Sequence, residues 1–443
     1  MPLQLLQYKV QRSQERLPKN APLYTNHAKS QELFTRALKV VPCGIYGHLG
    51  PAEGCMIPVS AYPLFSDRAK GSHIWDVDGN EYIDLMCAYG PCSLGYNDPD
   101  IDAAALAQLK KANCTSLAGD IMVETAEYMV NTIPSADWAF FAKNGGDTTT
   151  FAVMIARNYT HRKKIVMVKG WYHGVAPWTQ KIGYGGVIEE DVCNNLVVEW
   201  NKPEQFEALV KKYPGQIAAF ISTPYYHPVF VDSELPAPGY WEKIRKICDE
   251  NGIVLIIDDV RCSFRLDVGG SDKHFGFEAD LQCYCKAIAN GYNVSMITGK
   301  NKFKGAAEGI SYTGSYWLSS MPIAAALATV KKMKEVDYAG TIKKNGEAIT
   351  SGWVKVAKDH GFDLKISGEP AMWYARLVND FPSTILHQEW CAEMVKRGVF
   401  VASHHNNFAP FAISQEDIQY CWDAADEAYK VVAENHPEAN FIK

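Results

Sequence analysis

Six apolar runs of strand length, WAFFA, KIVMVK, NLVVEW, IAAFIST, GIVLIID and LQCYC, recur between about residues 100 and 300, with helical patterns such as Pro238 to Asn251 between several of them. A strand that is apolar at every position has no face to give to water and must be covered on both sides. Helices lying between such strands in the sequence supply that cover. The expectation is an α/β fold with a mostly parallel central sheet flanked by helices. Upstream, SHIWDVDGNEYIDL reads as two alternating runs around Asp78-Gly79, a hairpin whose turn needs a residue tolerant of positive φ. A helix is expected near Ser30 to Val40, and a long one from near Met321 towards Val336. Two more, near Ser383 to Arg397 and Ser414 to Val432, lie in an α+β tail. With no repeats and no low-complexity linker, the chain reads as a large α/β domain and a small α+β domain built from both chain ends.

Composition narrows the function. At 443 residues, 47% hydrophobic and 21% charged, with a formal charge of -6, the chain has the make-up of a globular protein and no field for a polyanion, so nucleic acid is not an expected partner. The opening MPLQLLQYKVQRSQERLPKN breaks its apolar patch too early for a signal peptide, and no window holds an apolar membrane span; a cytoplasmic location is expected. Twelve scattered cysteines without a CxxC pair suggest reduced core residues, and the adjacent His404 and His405 favour opposite faces of an extended chain over a metal site. HExxH, GxSxG, P-loop and GxGxxG strings are absent, which removes the commonest signatures of metalloproteases, hydrolases, NTPases and dinucleotide enzymes.

In open α/β sheets ligands gather at the carboxyl ends of strands. Four stretches stand there. After WAFFA come Asn144, Gly145, Gly146 and Asp147, with a helix expected from Thr148; such a turn either holds a phosphate on free N–H groups or is an ordinary turn capped by Asp147. KGWYHG, Lys169 to Gly174, offers Trp171 or Tyr172 to a planar ring, or simply a core aromatic. GIVLIIDDV ends in Asp258 and Asp259, which point to opposite faces if the strand continues, so that one carboxylate meets a ligand. Lys286 ends LQCYC in apolar company, where lost solvation lowers an amine's pKa and frees it for Schiff-base chemistry.

Together these stretches resemble the class III aminotransferases of pyridoxal phosphate (PLP) fold type I, in the branch of glutamate-1-semialdehyde aminomutases, from about Pro63 to Asp417. NGGDT stands at the family's phosphate turn, GWYHG at its stacking segment, and DDV at its Asp-Glu-Val. The resemblance implies cofactor contacts from Gly145, Gly146, Asp147, Thr148, Tyr172, His173, Asp258, Val260 and Lys286. Lys286 would be the Schiff-base lysine and proton carrier, and Asp258 the partner of the pyridine nitrogen. It also implies a homodimer whose partner lends a hydroxyl residue to the phosphate, here Ser315 with Thr313 and Tyr316 as alternatives. The expected organisation is an N-terminal segment 1–95, a PLP-binding domain 96–335 and a C-terminal small domain 336–443.

The departures bear on substrate. Gly145 and Asp147 replace hydroxyl residues, and neither GIYGHLGPAEG nor VASHHNNFAP carries the arginine that relatives use on a carboxylate. Arg261 and Arg265 are candidates for that task, with a structural brace as the alternative for Arg265; His48, His404 and His405 are candidates for a pocket of different polarity. The expected activity is amino-group transfer between an amino acid or amine and a keto acid or aldehyde. A racemase, epimerase or aminomutase on the same residues is the alternative.

Overall fold

All six apolar runs are strands of one sheet. The computed structural model describes residues 23–42, 44–45, 62–380 and 384–439. Among the described residues a helix, Ala28–Ala37, comes first, where one was expected near Ser30 to Val40, and then a hairpin system of β1 (Ser66–Lys70), β2 (His73–Asp76) and β3 (Glu81–Asp84), in which β2 and β3 pair antiparallel about Gly79 at φ 92°. The main sheet follows: β4 (Trp138–Ala142), β5 (Lys164–Val168), β6 (Asn195–Val198), β7 (Ile217–Ser222), β8 (Val254–Asp258), β9 (Leu281–Tyr284) and β10 (Ser295–Gly299), in the order β4-β10-β9-β8-β7-β5-β6.

Strand β8 shows why a continuous apolar run was needed. Leu255 and Ile257 belong to one buried cluster, with Phe206, Phe220 and Trp241, while Val254 and Ile256 belong to another, with Ala152, Ile155 and Ile165. The sheet is therefore buried on both faces, and each side chain of this size contributes about 1.5–3 kcal/mol by leaving water. Asp258 continues the row of Val254 and Ile256, and Asp259 that of Leu255 and Ile257.

Among the elements that the sequence pattern did not reveal, two have a clear physical reason. β10, SMITG, is antiparallel to both β4 and β9. Only Met296 and Ile297 are bulky in it, and Gly299 is small because a Cβ there would meet Trp138 at 2.4 Å and Leu281 at 2.6 Å. The second is the helix Tyr338–Asp359, which the sequence reading did not anticipate. Glycines at 346 and 352 weaken its helical signal. They are required by close neighbours, since a Cβ would fall 1.8 Å from the Pro370 carbonyl oxygen and 2.0 Å from Trp422 Nε1. The expected helices near 321, 383 and 414 are observed as Ser320–Glu335, Ile385–Lys396 and Gln415–Asn435.

The C-terminal part adds β11 (Leu364–Glu369), β12 (Met372–Leu377), β13 (Val399–Phe400) and β14 (Asn407–Phe408). β13 pairs parallel with β3, and Tyr62 donates to the Val401 carbonyl at 2.6 Å, so the two ends of the chain share a sheet. The segment between β13 and β14, residues 401–406, is fully buried and runs to the carboxyl end of the main sheet.

Candidate active site

Parallel strands β8 and β9 are neighbours, with Asp258 opposite Cys283 in register. That pairing brings the last residue of one strand beside Lys286, two residues beyond the end of the other. Asp258 is 4% exposed; one carboxylate oxygen accepts from the Val260 N–H at 3.1 Å and the other lies 2.7 Å from His173 Nδ1. Asp259 points away, as expected, and accepts from the Ser271 N–H at 3.0 Å and the Ser271 hydroxyl at 2.6 Å. Burial pushes its pKa up to about 8.

The turn after β4 departs from expectation in detail. The helix starts at Gly145, not Thr148, and its N-cap is Asn144, not Asp147. Asp147 instead reaches back to accept from the Asn144 N–H at 2.8 Å and the Lys143 N–H at 3.2 Å. Thr148 is fully buried and its hydroxyl donates to the Gly145 carbonyl at 2.8 Å. The glycines are there for contact. A Cβ on Gly145 would lie 2.8 Å from both methyls of Val260, and one on Gly174, at φ 105°, would lie 2.6 Å from the Cα of Gly146. The turns after β4 and β5 thus touch backbone to backbone, beside Val260 and His173.

His173 is buried, and its carbonyl accepts from Thr149 at 2.6 Å. Its Nε2 is buried without a hydrogen-bond partner among the described residues, which is rare for a polar atom in a finished site. Trp171 donates its indole N–H to the Thr179 carbonyl at 2.7 Å, leaving Tyr172, 64% exposed, as the ring of this segment that stays open.

Lys286 has φ 47°, uncommon for any residue with a Cβ, and donates from Nζ to the Tyr89 carbonyl at 2.9 Å. Burial lowers its pKa to about 7, reinforced by the charges of Arg261 and Arg265. Tyr89 was not singled out by the sequence. It lies in CAYGP, where Cys87, Ala88 and Tyr89 all have positive φ, and the Gly90-Pro91 pair was the only signal of a special turn.

The two arginines separate. Arg265 is 2% exposed, donates to the Gly90 carbonyl and lies over the Phe408 ring at 5.0 Å, so it braces the 87–90 turn through a carbonyl rather than an ion pair. Arg261 donates from Nη1 to the His227 carbonyl at 2.8 Å, to His227 Nδ1 at 3.1 Å and to the Asn406 side-chain carbonyl at 3.0 Å. His227 and Asn406 were also missed, because each is one buried polar residue in an unpatterned loop. His405 packs edge-on against Tyr89, with centroids 5.4 Å apart, while His404 faces Phe230 at the same distance. Burial and the Arg261 charge hold the imidazoles of His227 and His405 well below the ordinary pKa. Thr313, Ser315 and Tyr316 are exposed on the segment between Tyr312, stacked on Phe140, and Trp317, against Phe151. His48 lies outside the described residues.

An amine of low pKa, a buried carboxylate and a glycine-lined helix start on one rim are what PLP requires of a protein: a carbonyl partner, a charge near the ring nitrogen and an anion cradle. The residues fit it, because the two turns meet where a Cβ would intrude and His173 presents an unsatisfied nitrogen. Fold and rim together define the class of fold type I PLP enzymes. A family model described as Aminotransferase class-III matches residues 56–428, and the chain belongs to that family of PLP-dependent aminotransferases. The aminopentol aminotransferase of Sphingopyxis macrogoltabida is 38% identical over 92% of this chain and 95% of its own. The glutamate-1-semialdehyde 2,1-aminomutase of Desulforamulus reducens is 27% identical over 92% of this chain and 99% of its own. Among solved structures, the PLP internal aldimine form of the FumI protein of Sphingopyxis sp. MTA144 superposes with a TM-score of 0.89 at 37% identity, covering 93% of this chain and 98% of that one. Among the described residues no helix is long and apolar enough to cross a membrane.

Proposed function

We propose that Lys286 is the amine through which this aminotransferase holds its cofactor and passes protons, with an amine lacking a carboxylate as donor and a keto acid or aldehyde as acceptor. The observation that carries the reading is the Lys286 amine, brought to a pKa of about 7 one strand away from Asp258. At neutral pH such an amine is divided between its two protonation states, which suits a group that must take and return a proton. The bound cofactor supplies an electron-withdrawing ring for the electron pair left when a C–H bond beside nitrogen breaks. Asp258 would hold positive charge at the ring nitrogen. His173, donating from Nδ1, would orient Asp258. The first N–H groups of the helix Gly145–Thr160 would hold the phosphate, and Tyr172 would lie against the ring face.

The donor class rests on the wall of the site. His227 and His405 are held neutral, and Asn406 is neutral by nature, so apart from Arg261 this wall offers a donor's hydroxyls neutral partners. The relative at 38% identity is named for an amine on a polyol, which supports the same class. We place the enzyme in the cytoplasm as a homodimer. Support for the dimer is exposed apolar surface beside the site, where Tyr172 and Val175 are 64% and 75% exposed, and on the 313–316 segment, where Tyr316 is 68% exposed. There Ser315 of the partner subunit would reach the phosphate.

Borohydride reduction of the holoenzyme, followed by digestion and peptide mapping, is expected to leave the cofactor's mass on Lys286. A label on any other lysine defeats the assignment.

A further inference from the structure

Transamination exchanges an amino group for a carbonyl oxygen between two carbon skeletons. The donor's C–N bond becomes C=O with loss of two electrons, and the acceptor's C=O becomes CH–NH2 with gain of two. When the acceptor is a keto acid it brings a carboxylate, and some cation must meet it.

Two guanidinium groups act on the Lys286 amine, those of Arg261 and Arg265. Arg265 is buried beneath Gly90, where a Cβ would already lie 2.9 Å from its Nη2. The segment 46–61, outside the described residues, carries neither Lys nor Arg. Arg261 remains, and its bonding is lopsided. All three of its side-chain hydrogen bonds among the described residues fall on Nη1, and none of its partners is a carboxylate. The other edge of the fork, Nε and Nη2, carries none of them. An arginine has no acceptor sites, so where it contacts His227 Nδ1 that nitrogen must be the acceptor and the imidazole proton sits on Nε2, 3.3 Å from Cys262 Sγ. Asn406 is fixed in turn by donating to the Ser233 hydroxyl at 3.2 Å and accepting on its backbone carbonyl from His405 Nδ1 at 2.8 Å. Two loops therefore clamp one nitrogen of Arg261 with neutral groups only.

We infer that Arg261 is the anchor for the carboxylate of the keto-acid acceptor, presented edge-on by His227 and Asn406 as positioning residues. Neutral holders are the informative part. A carboxylate in their place would pair with the guanidinium and compete with substrate, whereas carbonyl and imidazole acceptors fix its direction and leave its charge uncompensated. The same arrangement lets one pocket accept a donor without a carboxylate, since an arginine tied at one nitrogen keeps partners when the anion is absent. This rests on the PLP-aminotransferase reading above.

The test compares pyruvate with methyl pyruvate, the same keto carbon with its charge removed, as acceptors for the holoenzyme first converted to its amino form with excess isopropylamine. In Arg261→Met the ratio of kcat/KM for pyruvate to that for methyl pyruvate is expected to fall about 100-fold. In Asn406→Asp, which has nearly the same shape but adds a competing carboxylate, the ratio is expected to fall about 10-fold, through the KM for pyruvate. Calorimetric titration with propionate supplies a readout independent of turnover, with binding to the wild-type holoenzyme weakened in both variants. Equal losses for pyruvate and methyl pyruvate, or propionate binding unchanged in Arg261→Met, would overturn the assignment. Borohydride mapping of Arg261→Met keeps the two readings apart: a label still on Lys286 leaves the lysine assignment standing whatever the acceptor ratio does.

Discussion

At the rim of the main sheet every chemically active group stands next to a strand end: Asp258 closes β8, Lys286 follows β9 by two residues, and Gly145 follows β4 by three. The loop wall is assembled otherwise, from Tyr89, His227, His405 and Asn406, residues of three distant segments: His227 and Asn406 hydrogen-bond Arg261, and Tyr89 meets His405 ring to ring. Topology holds the rim. A strand end cannot move without the sheet, so its groups keep the fixed geometry that bond-breaking requires. Individual contacts hold the wall, and one substitution redirects it. Chemistry at the rim and selectivity at the wall is the division that follows.

The largest effects are therefore expected at the rim. Lys286→Ala should lower single-turnover transfer by at least about 10^4-fold, because it removes both the attachment amine and the proton carrier. Asp258→Asn keeps the shape and the Val260 contact while losing the charge, and a loss of about 10^2 to 10^3-fold is expected. Both are read by stopped-flow absorbance with one amine donor. If an Arg261 variant, measured with pyruvate, lost more than Lys286→Ala, the division between rim and wall would fail.

That division also marks what the sequence could reveal. GIVLIIDDV is legible because a strand buried on both faces must be apolar throughout, so a carboxylate pair at its end stands out. Lys286 was legible through its apolar flank, whose physical effect is the lowered pKa. SMITG gave no such signal, since a strand packed against Trp138 and Leu281 can be small and polar in composition. Arg261 and Arg265 are indistinguishable in DDVRCSFR. One runs under Gly90 and the other meets an asparagine 145 residues away, and only the closed chain separates them. The N-cap was misplaced for a local reason: Asn144 and Asp147 are both capping residues, three apart, and it is the Asp147 side chain that accepts from the Asn144 N–H while Asn144 makes no side-chain cap bond.

A smaller effect tests whether the two turns of the rim act as one cradle. Gly174→Ala adds a Cβ at φ 105°, 2.6 Å from Gly146 Cα, whereas Gly183→Ala adds one at φ 96° with nothing within 4 Å among the described residues. Both variants bear the backbone cost of a left-handed alanine, roughly 1–3 kcal/mol. Only Gly174→Ala pushes the turns apart. Thermal unfolding should fall in both, more in Gly174→Ala, while PLP affinity, read by fluorescence titration of the apoprotein, should weaken only there. Equal affinities would mean that the contact of the two turns does not shape the phosphate site.

The smallest expected effect ties rim to wall through charge. In the apoprotein the folded chain gives up the Lys286 proton near pH 7, while an unfolded lysine keeps it to about 10.4. Between those values the unfolded state binds more protons, so Lys286 makes stability rise with pH across that window and adds no slope below it. Thermal unfolding of the apoprotein from pH 7 to 9 should show this rise, and Lys286→Met should lose it. Because Arg261 is among the charges that lower the Lys286 pKa, Arg261→Met should move the lower edge of the window upward and flatten the rise near pH 7. Arg265 acts in the same direction on the amine, so the flattening should be partial. An unshifted profile in Arg261→Met would mean that burial alone sets the lysine's pKa, and the wall would then touch the chemistry of the rim only through the substrate it selects.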